Sequence, residues 1–135
     1  MTYLLSHWLL SLSGTLLLGL LAMVLHEAGH LVTSLIVGVK VKSVGLCAKG
    51  MYVVREAGPP AKNLIVSLAG PLTNVALLLL FWHVSQTFTL ANLCLAVCNL
   101  MPIKGSDGDR AWSCVEEMQK EQKEMAPPKR HLGLF

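Results

Sequence analysis

Long uncharged stretches dominate the chain and alternate with short segments that carry most of its charge. Glu27 is the only formally charged side chain before Lys40, and residues 64–103 contain no Asp, Glu, Lys or Arg. A helix needs about 20 predominantly apolar residues to cross the hydrocarbon core of a bilayer. The pattern therefore predicts an all-α membrane protein. Three transmembrane helices are expected, at about residues 15–39, 64–84 and 88–101.

The segments outside the predicted spans differ from them in pattern. From Val39 to Arg55, valines and other apolar residues alternate with lysines and small or polar residues, which predicts a small β-hairpin at the membrane surface over about residues 39–55. Ser11, Ser13 and Gly14 are expected to mark a break before the membrane segment of the first helix, and residues 3–12 would lie at the interface or extend the helix outward. A charged helix is expected from Trp112 to Met125. The chain then divides into a core, residues 1–112, and a charged cytoplasmic tail, residues 113–135.

The positions of lysine and arginine predict the orientation of these spans. Five lie between the first and second spans, six follow the third span, and none lies between the second and third. Positive residues accumulate on the cytoplasmic side of membranes. We therefore expect an integral, multi-pass protein whose N-terminus is outside and whose first loop and C-terminus are cytoplasmic. The net charge of +3 is explained by loops that face an anionic membrane surface, and no nucleic acid is expected as a partner.

A short motif near the end of the first span carries the strongest chemical signal. His26 and His30 are four residues apart, with Glu27 beside the first histidine. On a helix this spacing places both imidazoles on one face, where they can bind one Zn²⁺ ion. An ionisable side chain inside a membrane span is costly and marks a candidate functional site. A chance packing pair is a much weaker interpretation for such a motif.

A zinc ion held by two histidines needs a third protein ligand in a catalytic site. Asp107 and Asp109 lie closest to the end of a predicted membrane helix, whereas Glu56 lies in a basic loop. Spacing alone does not separate Asp107 from Asp109. Asp107 could instead cap the helix that follows it, which is a common function of aspartate.

Three motifs, in this order along the chain, resemble the site-2 protease family of intramembrane zinc metalloproteases. They are His26 to His30, Ser67 to Asn74, and Asn99 to Pro102 followed by Asp107-Gly108. The resemblance covers about residues 15–112. Two positions depart from the family pattern, because Ser106 stands where leucine is common and Asp109 stands where a small residue is common. The second departure places an extra carboxylate near the metal.

The resemblance implies a zinc-dependent endopeptidase that cleaves transmembrane or signal-peptide-like helices. His26, His30 and Asp107 would bind a single zinc ion, and Glu27 would be the general base toward the attacking water. Asn74 would contact the substrate or the developing oxyanion, although a simple hydrogen bond between helices is an alternative role for it. The expected substrate cleft is formed by Gly70, Pro71 and Asn99.

Other functions and partners are left open by the sequence. The main alternative is a catalytically silent membrane zinc-binding or interaction protein that retains the protease fold, which would not require Glu27. A zinc transporter is disfavoured because no relay of further ligands is evident. The expected partners are the lipid bilayer and a transmembrane protein or peptide substrate, with a second copy of the chain or an accessory membrane protein as further candidates.

Overall fold

The computed structural model describes residues 2–47, 50–56 and 58–125. This part of the chain is mostly helical, as the hydrophobic pattern predicts. The elements in chain order are α1 (Thr2–Val37), β1 (Val41–Cys47), β2 (Gly50–Arg55), α2 (Pro60–Phe81), α3 (Gln86–Leu100) and α4 (Asp107–Met125). The last ten residues of the predicted tail, 126–135, lie outside the described residues.

Helix α1 is continuous over 36 residues, so the expected interruption at Ser11 to Gly14 is wrong. Thr15 Oγ1 donates a hydrogen bond to the Ser11 carbonyl at 3.0 Å. Hydroxyl groups can bond to the preceding turn in this way, and a single helical glycine costs only about 1 kcal/mol relative to alanine. These residues therefore weaken a long apolar helix without ending it.

The helix ends where a glycine adopts a left-handed conformation. Gly38 has φ 73°, and the N–H of Val39 donates to the Ser34 carbonyl at 2.9 Å. The N–H of Gly38 donates to the Leu35 carbonyl at 3.3 Å. This pair of bonds is a Schellman motif, which satisfies the last carbonyls of a helix and turns the chain away. The turn directs the chain into β1.

Within the described residues, two helices are long and apolar enough to cross a membrane. They are the Ser11–Val37 part of α1, with 27 residues, and α2, with 22 residues. Helix α2 begins at Pro60 rather than near Leu64, and proline is well tolerated in the first turn of a helix. Helix α3 is apolar but has only 15 residues, fewer than a typical span.

The two strands pair in antiparallel fashion between α1 and α2 in the chain. Their register places Val44 opposite Val53, and an irregularity lies between Val41 and Ser43. The residues that connect the strands, 48 and 49, lie outside the described part. Among the described elements, the strand pair contacts α1. The pair is therefore attached to the end of the long helix rather than to the packed faces of α2 and α3.

Glycines allow the helices to approach closely at two contacts. A Cβ atom on Gly29 would collide with the Thr73 side chain and lie 3.1 Å from the Ala69 carbonyl oxygen. A Cβ atom on Gly108 would collide with the carbonyl of Leu100. Small residues at such contacts let helix backbones pack directly against each other. The first contact joins α1 to α2, and the second joins the start of α4 to the end of α3.

Substitution of Gly29 tests the first of these contacts. Gly29→Ala should destabilise the folded protein by about 1–3 kcal/mol, because the added methyl group overfills a closed helix interface. Gly19→Ala is the matched control on the same helix, since nothing lies within 4 Å of a Cβ atom there. We expect the control to be neutral or slightly stabilising. Reversible unfolding in mixed micelles measures both variants, and equal stability of the two would contradict this packing.

Candidate metal centre

Two histidines and one aspartate meet in the interior of the helix assembly. The Nε2 atoms of His26 and His30 each lie 3.0 Å from Asp107 Oδ2, and they lie 3.2 Å from each other. The exposed fractions of the three residues are 3%, 3% and 5% respectively. The structure therefore brings the histidine pair together with Asp107, across a long separation in sequence.

Three helices position these side chains. His26 and His30 extend from one face of α1, and Asp107 lies in the first turn of α4. Helix α2 covers the pair with Gly70, where an added Cβ atom would lie 2.7 Å from His26 Nε2 and closer still to His30. Gly70 is thus required by contact with the imidazoles themselves. This gives a physical reason for a glycine at one of the predicted cleft positions.

The hydrogen bond of His30 fixes the orientation of its ring. His30 Nδ1 donates to the Val66 carbonyl at 2.7 Å, because a carbonyl oxygen can only accept. Nδ1 therefore carries a proton, and Nε2 is the ring nitrogen that faces His26 and Asp107. Metal-binding histidines are commonly held in this way by an acceptor on the second ring nitrogen. His26 Nδ1 is also buried, but it has no hydrogen-bond partner within the described part of the protein.

Asp107 is held as a carboxylate by its neighbours. Burial by itself raises the pKa of Asp107, but hydrogen bonds from His26 and His30 outweigh that effect and place the pKa below its ordinary value. Its second oxygen, Oδ1, lies 3.5 Å from Arg110 Nη1. Arg110 was not among the residues predicted from the sequence. Its i,i+3 spacing from Asp107 on α4 was the available signal.

The residues around Asp107 have separate roles in the start of α4. Ser106 Oγ accepts a hydrogen bond from the Asp109 N–H at 3.1 Å, which makes Ser106 the helix cap. Asp109 Oδ2 accepts from the Gly105 N–H at 3.0 Å. Capping at Ser106 begins the helix at Asp107, earlier than the expected start at Trp112. Asp107 is left to face the histidines, and Asp109 binds the preceding loop.

The other candidate residues differ in burial and in the groups they interact with. Glu27 is partly buried and close enough to interact electrostatically with His26, His30 and Asp107. Pro71 is buried beside Gly70, whereas Glu56 is exposed. The amide nitrogen of Asn99 is engaged within α3, where Nδ2 donates a hydrogen bond to the Leu95 carbonyl at 3.0 Å.

Two asparagines are completely buried among the helices. Asn74 has 0% exposure, and neither amide atom of its side chain has a partner within the described chain. Asn92, which the sequence analysis did not single out, also has 0% exposure. Its Nδ2 donates to the Phe88 carbonyl at 2.8 Å, while Oδ1 has no partner among the described residues. Buried amides of this kind are costly unless something satisfies them.

The three clustered side chains could hold a metal ion. Their ligand atoms all lie within 4.8 Å of one another, and all three residues are buried. Two imidazole nitrogens and one carboxylate oxygen are a ligand set that zinc accepts, and three protein ligands are typical of catalytic zinc sites. Neither the protein-family models nor the curated proteins contain a match to the chain. The assignment of metal binding as a candidate function therefore rests mainly on these two nitrogen atoms and one oxygen atom.

A pair of aspartate variants tests which carboxylate belongs to the centre. Asp107→Asn should lower zinc affinity by more than about 100-fold, because it replaces an anionic ligand with a neutral amide. Asp109→Asn should leave zinc affinity close to that of the wild type, since Asp109 binds the Gly105 N–H. Competition with a fluorescent chelator measures both affinities in purified protein. Equal losses, or a larger loss for Asp109→Asn, would assign the ligand to Asp109.

Proposed function

We propose that this chain is a zinc-dependent intramembrane endopeptidase that hydrolyses peptide bonds in transmembrane or signal-peptide-like helices. The observation that carries the proposal is the buried cluster of His26, His30 and Asp107, with Glu27 beside it on a helix of membrane-spanning length. The three-motif resemblance to site-2 proteases supports the same function. Ionisable groups in such a helix are expensive to bury, which favours a chemical role for them.

The residues of the centre have different roles in the proposed hydrolysis. His26, His30 and Asp107 would hold the zinc ion, which would supply Lewis-acid polarisation of a carbonyl and favour ionisation of a water. Glu27 takes a proton from the attacking water and later donates it to the nitrogen of the leaving amine. Its partial exposure suits this role, because a general base needs access to water and to the substrate.

The second helix forms the other wall of the proposed site. Gly70 leaves space beside the imidazoles, and Pro71 follows it within α2. Asn74, one turn further along, is completely buried, so we propose that the helices separate when the substrate binds and let Nδ2 donate to the developing oxyanion. A donor of this kind contributes about 3–4 kcal/mol to transition-state stabilisation in other hydrolases. Asn99 supports the end of α3, where its amide bonds to the preceding turn.

The proposed membrane arrangement uses three spans, with α3 as the short third one. At 1.5 Å per residue, α3 is about 22 Å long, and a short span can be accommodated by local thinning of the bilayer. The same rise places His30 and His26 about 10.5 and 16.5 Å from the Val37 end of α1. With that end at the cytoplasmic edge of a hydrocarbon layer about 30 Å thick, the centre lies near the middle of the layer.

The paired strands supply a further element of the proposal. Arg55 and the lysines of this segment place the strand pair at the cytoplasmic surface of the membrane. An extended substrate segment can add to an exposed strand edge through main-chain hydrogen bonds. A substrate helix that unwinds near α1 would be held in an extended form there. Extended backbone is the form in which a peptide bond is open to attack.

Two observations disfavour the alternative of a silent zinc-binding protein. A structural zinc site requires no general base, yet Glu27 lies beside the cluster. A closed structural site commonly has four protein ligands. Asp109, the nearest candidate for a fourth ligand, is bound to the Gly105 N–H instead. The endopeptidase is therefore the better account of these residues.

Replacement of the general base tests the mechanism. Glu27→Gln should reduce cleavage of a transmembrane substrate by at least about 100-fold, because the amide cannot accept the proton of water. Zinc should remain bound at one ion per chain, since the three ligands are unchanged. The measurement is cleavage by reconstituted protein in liposomes together with metal analysis. Equal cleavage by the two forms would contradict the role of Glu27, and zinc binding without wild-type cleavage would favour the silent alternative.

The proposed orientation has its own test. In a variant without native cysteines, a cysteine at Gln86 should react with a membrane-impermeant maleimide added outside intact cells. A cysteine at Lys62 should react only after the membrane is opened. These positions lie at the starts of α3 and α2 respectively. The reverse pattern of labelling would invert the proposed topology.

A further inference from the structure

The two metal-site histidines differ in how their second nitrogen is satisfied. His30 Nδ1 donates to the Val66 carbonyl at 2.7 Å, whereas His26 Nδ1 is buried without a partner in the described part of the chain. If Nε2 of His26 faces a metal ion, Nδ1 carries the proton and needs an acceptor. A buried N–H without an acceptor is destabilising. The structure should therefore contain a group that accepts this proton.

The packing of α2 against α1 indicates a candidate. Val66 contacts His30 through its carbonyl, and Gly70, one turn later, lies against both His30 and His26. Asn74 follows Gly70 by one further turn, so it lies on the face of α2 that packs against the imidazoles. Asn74 has 0% exposure, so its side chain is closed off from bulk solvent.

We propose that Asn74 is a positioning residue for His26, and that its carboxamide oxygen accepts the Nδ1 proton through one buried water. The two side chains form no direct hydrogen bond, and both are buried with unpaired polar atoms. Buried waters typically bridge polar groups that the protein leaves unsatisfied. The inference rests on the proposed function, because the Nδ1 proton is fixed only when Nε2 binds a metal.

This role is compatible with the one proposed for the amide nitrogen. Oδ1 of Asn74 accepts from the water, and Nδ2 remains available as a donor to the substrate. One asparagine would then connect the orientation of a metal ligand to the stabilisation of the oxyanion. Loss of Oδ1 should weaken metal binding, whereas loss of Nδ2 should slow cleavage alone. Substitutions that change one atom or both can separate these effects.

The test measures zinc affinity and the imidazole protons, which do not depend on proteolysis. Asn74→Leu removes both polar atoms and should lower zinc affinity by about 10–100-fold, the usual effect of losing such a partner. Asn74→Asp keeps an acceptor oxygen and should restore affinity while cleavage remains impaired. In zinc-loaded protein labelled with ¹⁵N-histidine, Asn74→Leu should shift or broaden the Nδ1–H signal of His26. The signal of His30 should be unchanged, because it is bonded to Val66.

Asn92→Leu is the matched control. Asn92 is the same residue type, has the same complete burial and also has an unpaired Oδ1, but it lies on α3. We expect it to leave zinc affinity and the His26 signal unchanged. Wild-type affinity in Asn74→Leu, or an equal loss in Asn92→Leu, would overturn the positioning role alone. Failure of the wild-type protein to bind zinc would overturn both this inference and the proposed function.

Discussion

The contact of one carboxylate oxygen with two buried imidazoles is the interaction on which the rest of the architecture depends. Asp107 Oδ2 reaches both His26 and His30, although His26 and Asp107 are separated by 81 positions in sequence. A buried carboxylate is tolerated only where partners compensate for the loss of hydration. The contact requires the start of α4 to return to the middle of α1. Helices α2 and α3 must therefore pack so that this return is possible.

Close backbone approach makes that arrangement possible. Within a bilayer there is no hydrophobic force between apolar helices, so association depends on direct van der Waals packing. Gly29, Gly70 and Gly108 each stand where a single methyl group would collide with a neighbour. They lie at the contact of α1 with α2, beside the candidate metal-binding cluster, and at the contact of α4 with α3. The absence of a side chain at these glycines lets the helices pack closely, and at Gly70 it leaves space beside the imidazoles.

At the start of α4, each of the adjacent polar residues has a different partner. Ser106 caps the helix, Asp109 binds the Gly105 N–H, and Arg110 approaches the second oxygen of Asp107. Because the neighbouring groups are engaged elsewhere, only Asp107 is directed at the histidines. The carboxylate of Asp109 therefore binds the loop that precedes α4. This arrangement separates two aspartates that are chemically equivalent in the sequence.

Local properties of the chain were determined by the sequence itself. The apolar helices follow from the absence of charge over long stretches, and the shared face of His26 and His30 follows from helical spacing. Spacing alone did not decide whether Asp107 or Asp109 would be the third metal ligand. The resemblance to site-2 proteases favoured Asp107. The expected break near Ser11 was wrong, because one glycine and a few hydroxyl residues cost too little to end a long apolar helix.

Only the tertiary structure decided which groups meet. The engagement of Asp109 with the loop, the approach of Arg110 and the complete burial of Asn92 are consequences of helix packing rather than of local pattern. Such contacts depend on distances in space between residues far apart along the chain, or on which face a helix turns inward. The spacing of residues along the chain gives neither these distances nor the face that a helix turns inward. Both are therefore known only from the tertiary structure.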